Sequence, residues 1–263
     1  MKPVNLRQAQ FRQKSGIPGW VGVFVLWFLT LYQAAGHGSE PQANAVVEKR
    51  YQAARESWLQ ATNSFTNTWF FARAAFDLGE VATNSTQRGI VANEAIHACR
   101  NVLARTPATN AAPIQYYLAL NLGQLARTRG LSALKLVREM ESLWLAARSH
   151  DASFDHAGPD RCLGLLYFDA PGWPVSLGNH AKARSHLERA VALDPDFPEN
   201  RLCLAETELH WGKTAAAARL LQQLDDHWAS AKSRWSGPDH ALNWLEWERR
   251  RARIRTLVEK SPR

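Results

Sequence analysis

Cysteine is scarce in this chain: Cys99, Cys162 and Cys203 are the three present, and they stand far apart. Their odd number and the absence of any CxxC pair exclude a disulfide framework and a zinc knuckle. Each lies in an apolar stretch of helical period, so three small buried hydrophobes are expected. The sequence also lacks a Gly-rich phosphate loop, an HExxH pair and any run of strand-like alternation. No acid occurs before Glu40.

The net charge is +8 over 263 residues, and its distribution matters more than its size. Lys2, Arg7, Arg12 and Lys14 supply half of it, and the basic tail from Gly237 to Arg263 supplies most of the rest. The body between is close to neutral. Nucleic-acid affinity needs many phosphate contacts on one basic surface, so a nucleic-acid partner is not expected. Eleven Trp is an unusually large number, and it implies large aromatic surfaces that are buried or presented.

The basic leader runs into Ile17–Tyr32, an uncharged apolar run with the length of a signal-peptide core. Ala34-Ala35-Gly36 follows, with small residues of the kind a signal peptidase accepts. Residues 1–38 are therefore expected to be a signal peptide or signal anchor. The positive-inside tendency places the body outside the cytoplasm, exported to the periplasm or anchored in the inner membrane. No Cys stands directly after the apolar run, so no lipid-anchoring cysteine is expected.

From Ala43 onward the apolar spacing is three and four, the period of helices. Residues 39–56 are assigned to a linker and a first helix. Residues 57–224 follow as about four helix pairs. In the last pair Leu204 and Ala205 take a large–small position, Gly212 takes the turn, and Ala217, Leu221 and Leu224 form the facing stripe. Before it, Ala183, Leu187 and Ala190 share one face, and Asp194-Pro195 stops that helix. Leu163-Gly164, Leu118-Ala119 and Ala74-Ala75 open earlier pairs. The second helix of one runs from Leu131 to about Arg148. That of the first carries Ala95, Cys99 and Val102 and stops at Thr106-Pro107. Val81–Ile90 and Asp169–Gly178 read as extra loops. Residues 225–263 read as a capping helix from Pro238, with Trp244, Trp247, Ile254 and Val258 on its dry side, and a basic tail. A surface helix held to anionic lipid by its arginines is the rival reading of that segment.

These large–small pairs and turn glycines resemble the tetratricopeptide repeat (TPR) superfamily over roughly Ser57–Leu224, with the sharpest match at Asn179–Leu224. Within it, three features look like the T-component family of TRAP transporters: the helix Gly130–Arg148, the segment Phe154–Tyr167, and the Ala170-Pro-Gly-Trp-Pro174 loop before Ala183. The family's lipid-anchoring Cys is absent here. The resemblance implies an all-α, right-handed helical-hairpin solenoid. It also implies a body outside the cytoplasm that binds a solute-binding protein or a small ligand and can assemble as an oligomer.

The histidines offer little chemistry. His180 and His186 fall on different helix faces. His150 and His156, with Asp151 and Asp155, read as an inter-helix turn rather than a metal site. A Cys–His nucleophile pair has no local support. No enzyme activity, cofactor or metal is expected. The inner face of such a stack is made by the first helix of each pair, which gives Trp69, Phe76, Tyr116, Leu120, Arg161, Leu165, Phe168, Leu202, Glu206 and His210. An aromatic groove with a few polar groups suits a protein or peptide partner, or a small ligand. Several of these residues could instead pack between repeats. Trp173, fixed between two prolines and beside a glycine, either plugs the edge of the stack or borders the site.

Overall fold

Polar caps and prolines set where the helices begin. Ser64, Asn84 and Asn179 each accept a backbone N–H of the first turn that follows them, and prolines open two other helices in the same place. The computed structural model describes residues 41–105, 111–237 and 240–260. The expected export segment, the stop at Thr106-Pro107, the start at Pro238 and the last three residues lie outside these.

Among the described residues there are ten α-helices. They are α1 (Pro41–Gln60), α2 (Phe65–Val81), α3 (Ser85–Leu103), α4 (Ala112–Ala126) and α5 (Leu134–His150, after a 3-10 turn at Gly130–Ala133). Then come α6 (Phe154–Asp169), α7 (His180–Leu193), α8 (Pro198–His210), α9 (Thr214–Arg234) and α10 (Ala241–Lys260). Consecutive helices pack as antiparallel pairs, α2/α3, α4/α5, α6/α7 and α8/α9, and α2, α4, α6 and α8 lie side by side. This is the arrangement expected of a TPR-like stack.

Small residues let the paired helices approach. A Cβ on Gly164 would sit 2.6 Å from Leu187 Cγ, so α6 and α7 touch backbone to side chain there. Ala75, Ala119 and Ala205 are buried at the corresponding points, as are the facing stripes of α7 and α9. Gly212 closes α8 with φ +70°. Gly212 N–H bonds Leu209 O, and Lys213 N–H bonds Glu208 O, the paired bonds of a Schellman stop.

Two expectations need correction. Val81–Ile90 is not an extra loop, because α2 reaches Val81 and α3 starts at Ser85. Asn84 caps α3, and the buried Arg88 returns to bond the carbonyls of Gly79 and Ala82 at the end of α2. The repeat helix containing Leu224 does not end there but runs on to Arg234.

At the C-terminal end, α10 packs on α8 and α9 with Trp244, Trp247 and Ile254 buried. Four of its five arginines are engaged with acids of those helices, and Arg249 pairs with Glu246 of α10 itself. Arg250 pairs with Glu199 and Glu206, Arg253 with Glu206, and Arg251 and Arg255 with Asp225.

Candidate functional site

The inner strip of the N-terminal half gathers aromatic rings around two carboxylates. Trp69 of α2, Tyr117 of α4 and Phe154 of α6 lie with ring centroids 6.1–6.4 Å apart, two nearly parallel and the third across them. Tyr116 stands edge-on to Phe154 at 5.4 Å. Asp77 lies about two turns further along α2 than Trp69. Burial pushes its carboxyl up to about 6, with Asp155 and Glu80 adding to the rise and Arg73 opposing it. Burial also raises both tyrosine hydroxyls, with Asp155 contributing. Phe76 is half-buried on this face.

The start of α6 has a backbone its sequence does not advertise. Asp155, His156 and Ala157 have φ of 50°, 57° and 62°, three left-handed residues in succession, none of them glycine. Each costs roughly 1–2 kcal/mol in that region. The right-handed helix then starts at Gly158-Pro159, with proline in its first turn. A Cβ on Gly158 would fall 2.6 Å from the Tyr116 hydroxyl.

Contacts from three helix pairs fix this turn. The Tyr116 hydroxyl donates to Asp155 Oδ2 at 2.6 Å. Arg161 donates to the same oxygen at 3.0 Å, to the carbonyls of Asp155 and His156, and to Asn200 Oδ1 at 2.8 Å. Asn200 Nδ2 in turn reaches the carbonyls of His156, Ala190 and Asp194. His156 stacks on Phe197 at 4.1 Å, and its Nδ1 lies 2.8 Å from Asp194 Oδ2. Burial opposes the Arg161 charge, but its neighbours, Tyr116 and Asp155 foremost, hold its proton above the usual range.

The expected inner-face residues therefore divide. Trp69, Phe76 and Phe168 are half-buried and His210 is exposed. Tyr116, Leu120 and Leu202 are core residues. Arg161 and Glu206 are buried and bonded internally, Arg161 to the turn and Glu206 to Arg250 at 2.8 Å. Phe168 and His210 meet edge-to-face at 5.0 Å, with Trp211 beside Phe168. They lie at the ends of α6 and α8, whereas Trp69 and Tyr116 lie near the starts of α2 and α4, so the expected residues do not form one cluster. Asp77, Tyr117, Phe154 and Asn200 were not singled out. Their signal is the position of Asp77 and Tyr117 one step from the framed residues on the inner faces.

Trp173 does not plug the stack. It is 89% exposed, on a loop closed by the Gly172–Gly178 bridge and by Gly178 N–H to Pro171 O. A Cβ on Gly178 would lie 2.0 Å from Ala170 O, so the loop can close this tightly only with glycine there. The Trp173-Pro174 peptide is cis.

Other candidate chemistry disperses. Asp151 bonds Ser153, and Asp155 and His156 serve the turn. Among the described residues no three His, Cys, Asp or Glu side chains converge on a metal position. The thiols of Cys99, Cys162 and Cys203 are buried and free in three different pairs, and burial pushes those of Cys99 and Cys162 up to about 12. A cleft of about 300 Å³ lies between α1 and the α2–α3 join, open to solvent and lined by Asn44, Glu48, Leu78, Val81, Thr83 and Gln87 among others.

No curated protein matches the chain. A family model of the tetratricopeptide repeat matches residues 175–232, from the Trp173 loop through α7, α8 and most of α9, and over that stretch the chain is similar to TPR proteins.

Proposed function

We propose that the protein is a non-catalytic binding scaffold of the cell envelope whose inner face receives a protein or peptide partner. One observation carries the reading: α2, α4 and α6 stand side by side with Trp69, Phe76 and Phe154 half-buried along them over the buried Tyr117, and with the carboxylates of Asp77 and Asp155 beside the rings. An extended apolar and acidic strip suits a peptide-like ligand that brings apolar side chains and a cation. TPR repeats are interaction modules, and the repeat match supports that class. The envelope part rests on the basic leader and the Ile17–Tyr32 run.

A second reading follows the resemblance to TRAP transporter T-components. The phrase Ala170-Pro-Gly-Trp-Pro174 favours it, and it makes the protein an auxiliary solute-handling subunit. It requires a closed apolar chamber or a pore between copies.

A photo-crosslinking residue placed at Phe76 or Trp69 in the full chain, expressed in its own cells, tests the scaffold. Crosslinks to one partner from these positions and none from Leu145 on α5 are expected. Crosslinks only from Leu145, or from no position, would overturn the inner-face reading. A periplasm-active reporter fused after Arg263 tests the compartment, and activity of only a cytoplasmic reporter at that point would remove it.

A further inference from the structure

A nearly neutral body can still be strongly polarised. The turns that join the two helices of each pair all lie along one edge of the stack. Glu80 at the end of α2 meets Arg127 at the end of α4, and Phe168 at the end of α6 meets Trp211 at the end of α8. Antiparallel packing of α5 on α6 brings Glu141 to Tyr167, so the start of α5 belongs to this edge too.

These turns and the first turns of the helices after them carry no acid. Residues 82–93, 127–138, 170–187 and 211–224 contain Arg88, Arg127, Arg129, Lys135, Arg138, Lys182, Arg184, Lys213 and Arg219, and neither Asp nor Glu. Arg129, Lys135, Arg138, Lys182, Lys213 and Arg219 are exposed, and none of them forms an ion pair among the described residues. The acids that end the first helices do little to offset them. Glu80 and Glu208 are tied to Arg127 and Arg184, and burial pushes the Asp169 carboxyl up to about 8, which disfavours its charge. Glu48 of α1, and Glu141, which accepts from the Tyr167 hydroxyl, are acids that remain near this edge among the described residues. The opposite edge carries Asp151, Asp155, Asp194 and Asp196, of which Asp155 pairs with Arg161 and Asp196 with Arg234.

Out of the positive edge stand Trp173, 89% exposed, and Val175, 59% exposed. Lys182 lies over the Tyr167 ring and Lys213 over Trp211, close behind the loop. Tryptophan is the side chain most at home between headgroups and acyl chains, and cations beside it meet lipid phosphates. We propose that this edge docks on an anionic lipid bilayer, with Trp173 and Val175 entering the headgroup region and the cations around them facing the phosphates.

An exposed aliphatic tip favours a bilayer over nucleic acid, because a duplex has no apolar phase to receive Val175. Geometry adds to this. Asn44 and Glu48 near the start of α1 lie against Val81, Thr83 and Gln87, so the chain preceding α1 joins the body at the same edge. That sequence holds the Ile17–Tyr32 run; this point alone rests on the envelope reading above.

The test uses the full chain with Val175→Cys carrying an environment-sensitive fluorophore. The three native thiols are buried, so this is the reactive position. Added to mixed phosphatidylcholine–phosphatidylglycerol vesicles, the label is expected to shift to the blue, and salt is expected to reverse the shift. Phosphatidylcholine alone should leave it unchanged, as should the same label at Thr62→Cys on the opposite edge. Lys182→Gln with Lys213→Gln should weaken the response by about fivefold per cation. Unchanged melting of each variant shows that the fold is intact. No shift at Val175 in anionic vesicles, or an equal shift at Thr62, would overturn the proposal. So would a shift produced by a DNA duplex or polyglutamate but not by lipid. The reporter fusion is scored separately, so a failed lipid response with a periplasmic body refutes the docking edge and leaves the compartment standing.

Discussion

From Val47 to Ala183 the buried side chains form one continuous apolar cluster across α1–α7. From Phe197 to Ile254 a second, smaller cluster is built on α8, α9 and α10, and Leu187, Cys203 and Leu204 bridge the two. The first is mainly alanine, leucine and aromatic packing. The second is threaded with charge: Arg250 is buried between Glu199 and Glu206, Trp247 Nε1–H donates to Glu199, and Arg251 lies over Trp228 at 4.4 Å. The first region is held by removal of apolar area from water, which tolerates small losses. The second depends on a few pairs that must all be complete, because a buried charge without its partner is costly.

The largest expected effect follows from that contrast. Arg250→Ala strands the buried Glu206 and the part-buried Glu199 and should cost about 3–5 kcal/mol. Hydrogen exchange should accelerate in α8–α10 and remain slow in α2–α4. The same pairs predict acid sensitivity. Although burial raises it, Arg250 and Arg161 hold the Glu199 carboxyl down at about 2, against an ordinary 4.5. A depressed carboxyl stabilises fully above its unfolded value. That stabilisation, roughly 3 kcal/mol, is lost as pH falls from about 4.5 toward 2. Urea titrations in that window should show the loss in the parent and little of it in Arg250→Ala.

Cysteine replacement compares the two cores at matched size. Cys99→Ala trims the dry cluster, and Cys203→Ala also removes a sulfur that touches Glu199 and Arg250. Each should cost roughly 1–3 kcal/mol. Reductant should leave the parent's melting temperature unchanged, and a reductant-dependent loss of fold would contradict the free-thiol structure. A smaller effect belongs to Asp169. Burial raises its pKa from 3.8 to about 8, so the folded state keeps a proton that the unfolded state releases. Stability therefore falls as pH rises between those values. Asp169→Asn should stabilise the fold near the upper value by on the order of 1 kcal/mol, after discounting for solvent screening, read as a higher melting temperature. It should do nothing below the lower one. The smallest is Arg55→Ala, which removes a part-exposed pair with Glu94 and should cost under about 1 kcal/mol in thermal melts.

The pairs α6/α7 and α8/α9 were legible because their contacts are made by small residues at fixed spacing, Gly164 against Leu187 above all. The start of α3 was hidden by a polar run, although Asn84 with Gln87 three residues on is an N-terminal signal. Asp155-His156-Ala157 left no trace. None of the three favours a left-handed backbone alone, and two of the partners that impose it, Tyr116 and Asn200, lie 39 and 44 residues away. Glu206 looked like a groove acid because Arg250, its partner 44 residues on, cannot be assigned from spacing. Trp173 was read with two outcomes because proline and glycine fix a loop's shape without fixing which way it faces.

The left-handed turn also changes how far one repeat is sensed by another. In an ordinary solenoid each repeat interacts with its immediate neighbours, and folding spreads one step at a time. Here Tyr116 of one pair, Arg161 of the next and Asn200 of the one after close on the same three residues. The unfavourable backbone is worth adopting only when all three are in place. Three successive pairs therefore form one cooperative unit, and occupancy of the inner face near Tyr116 bears on the start of α8, two repeats away.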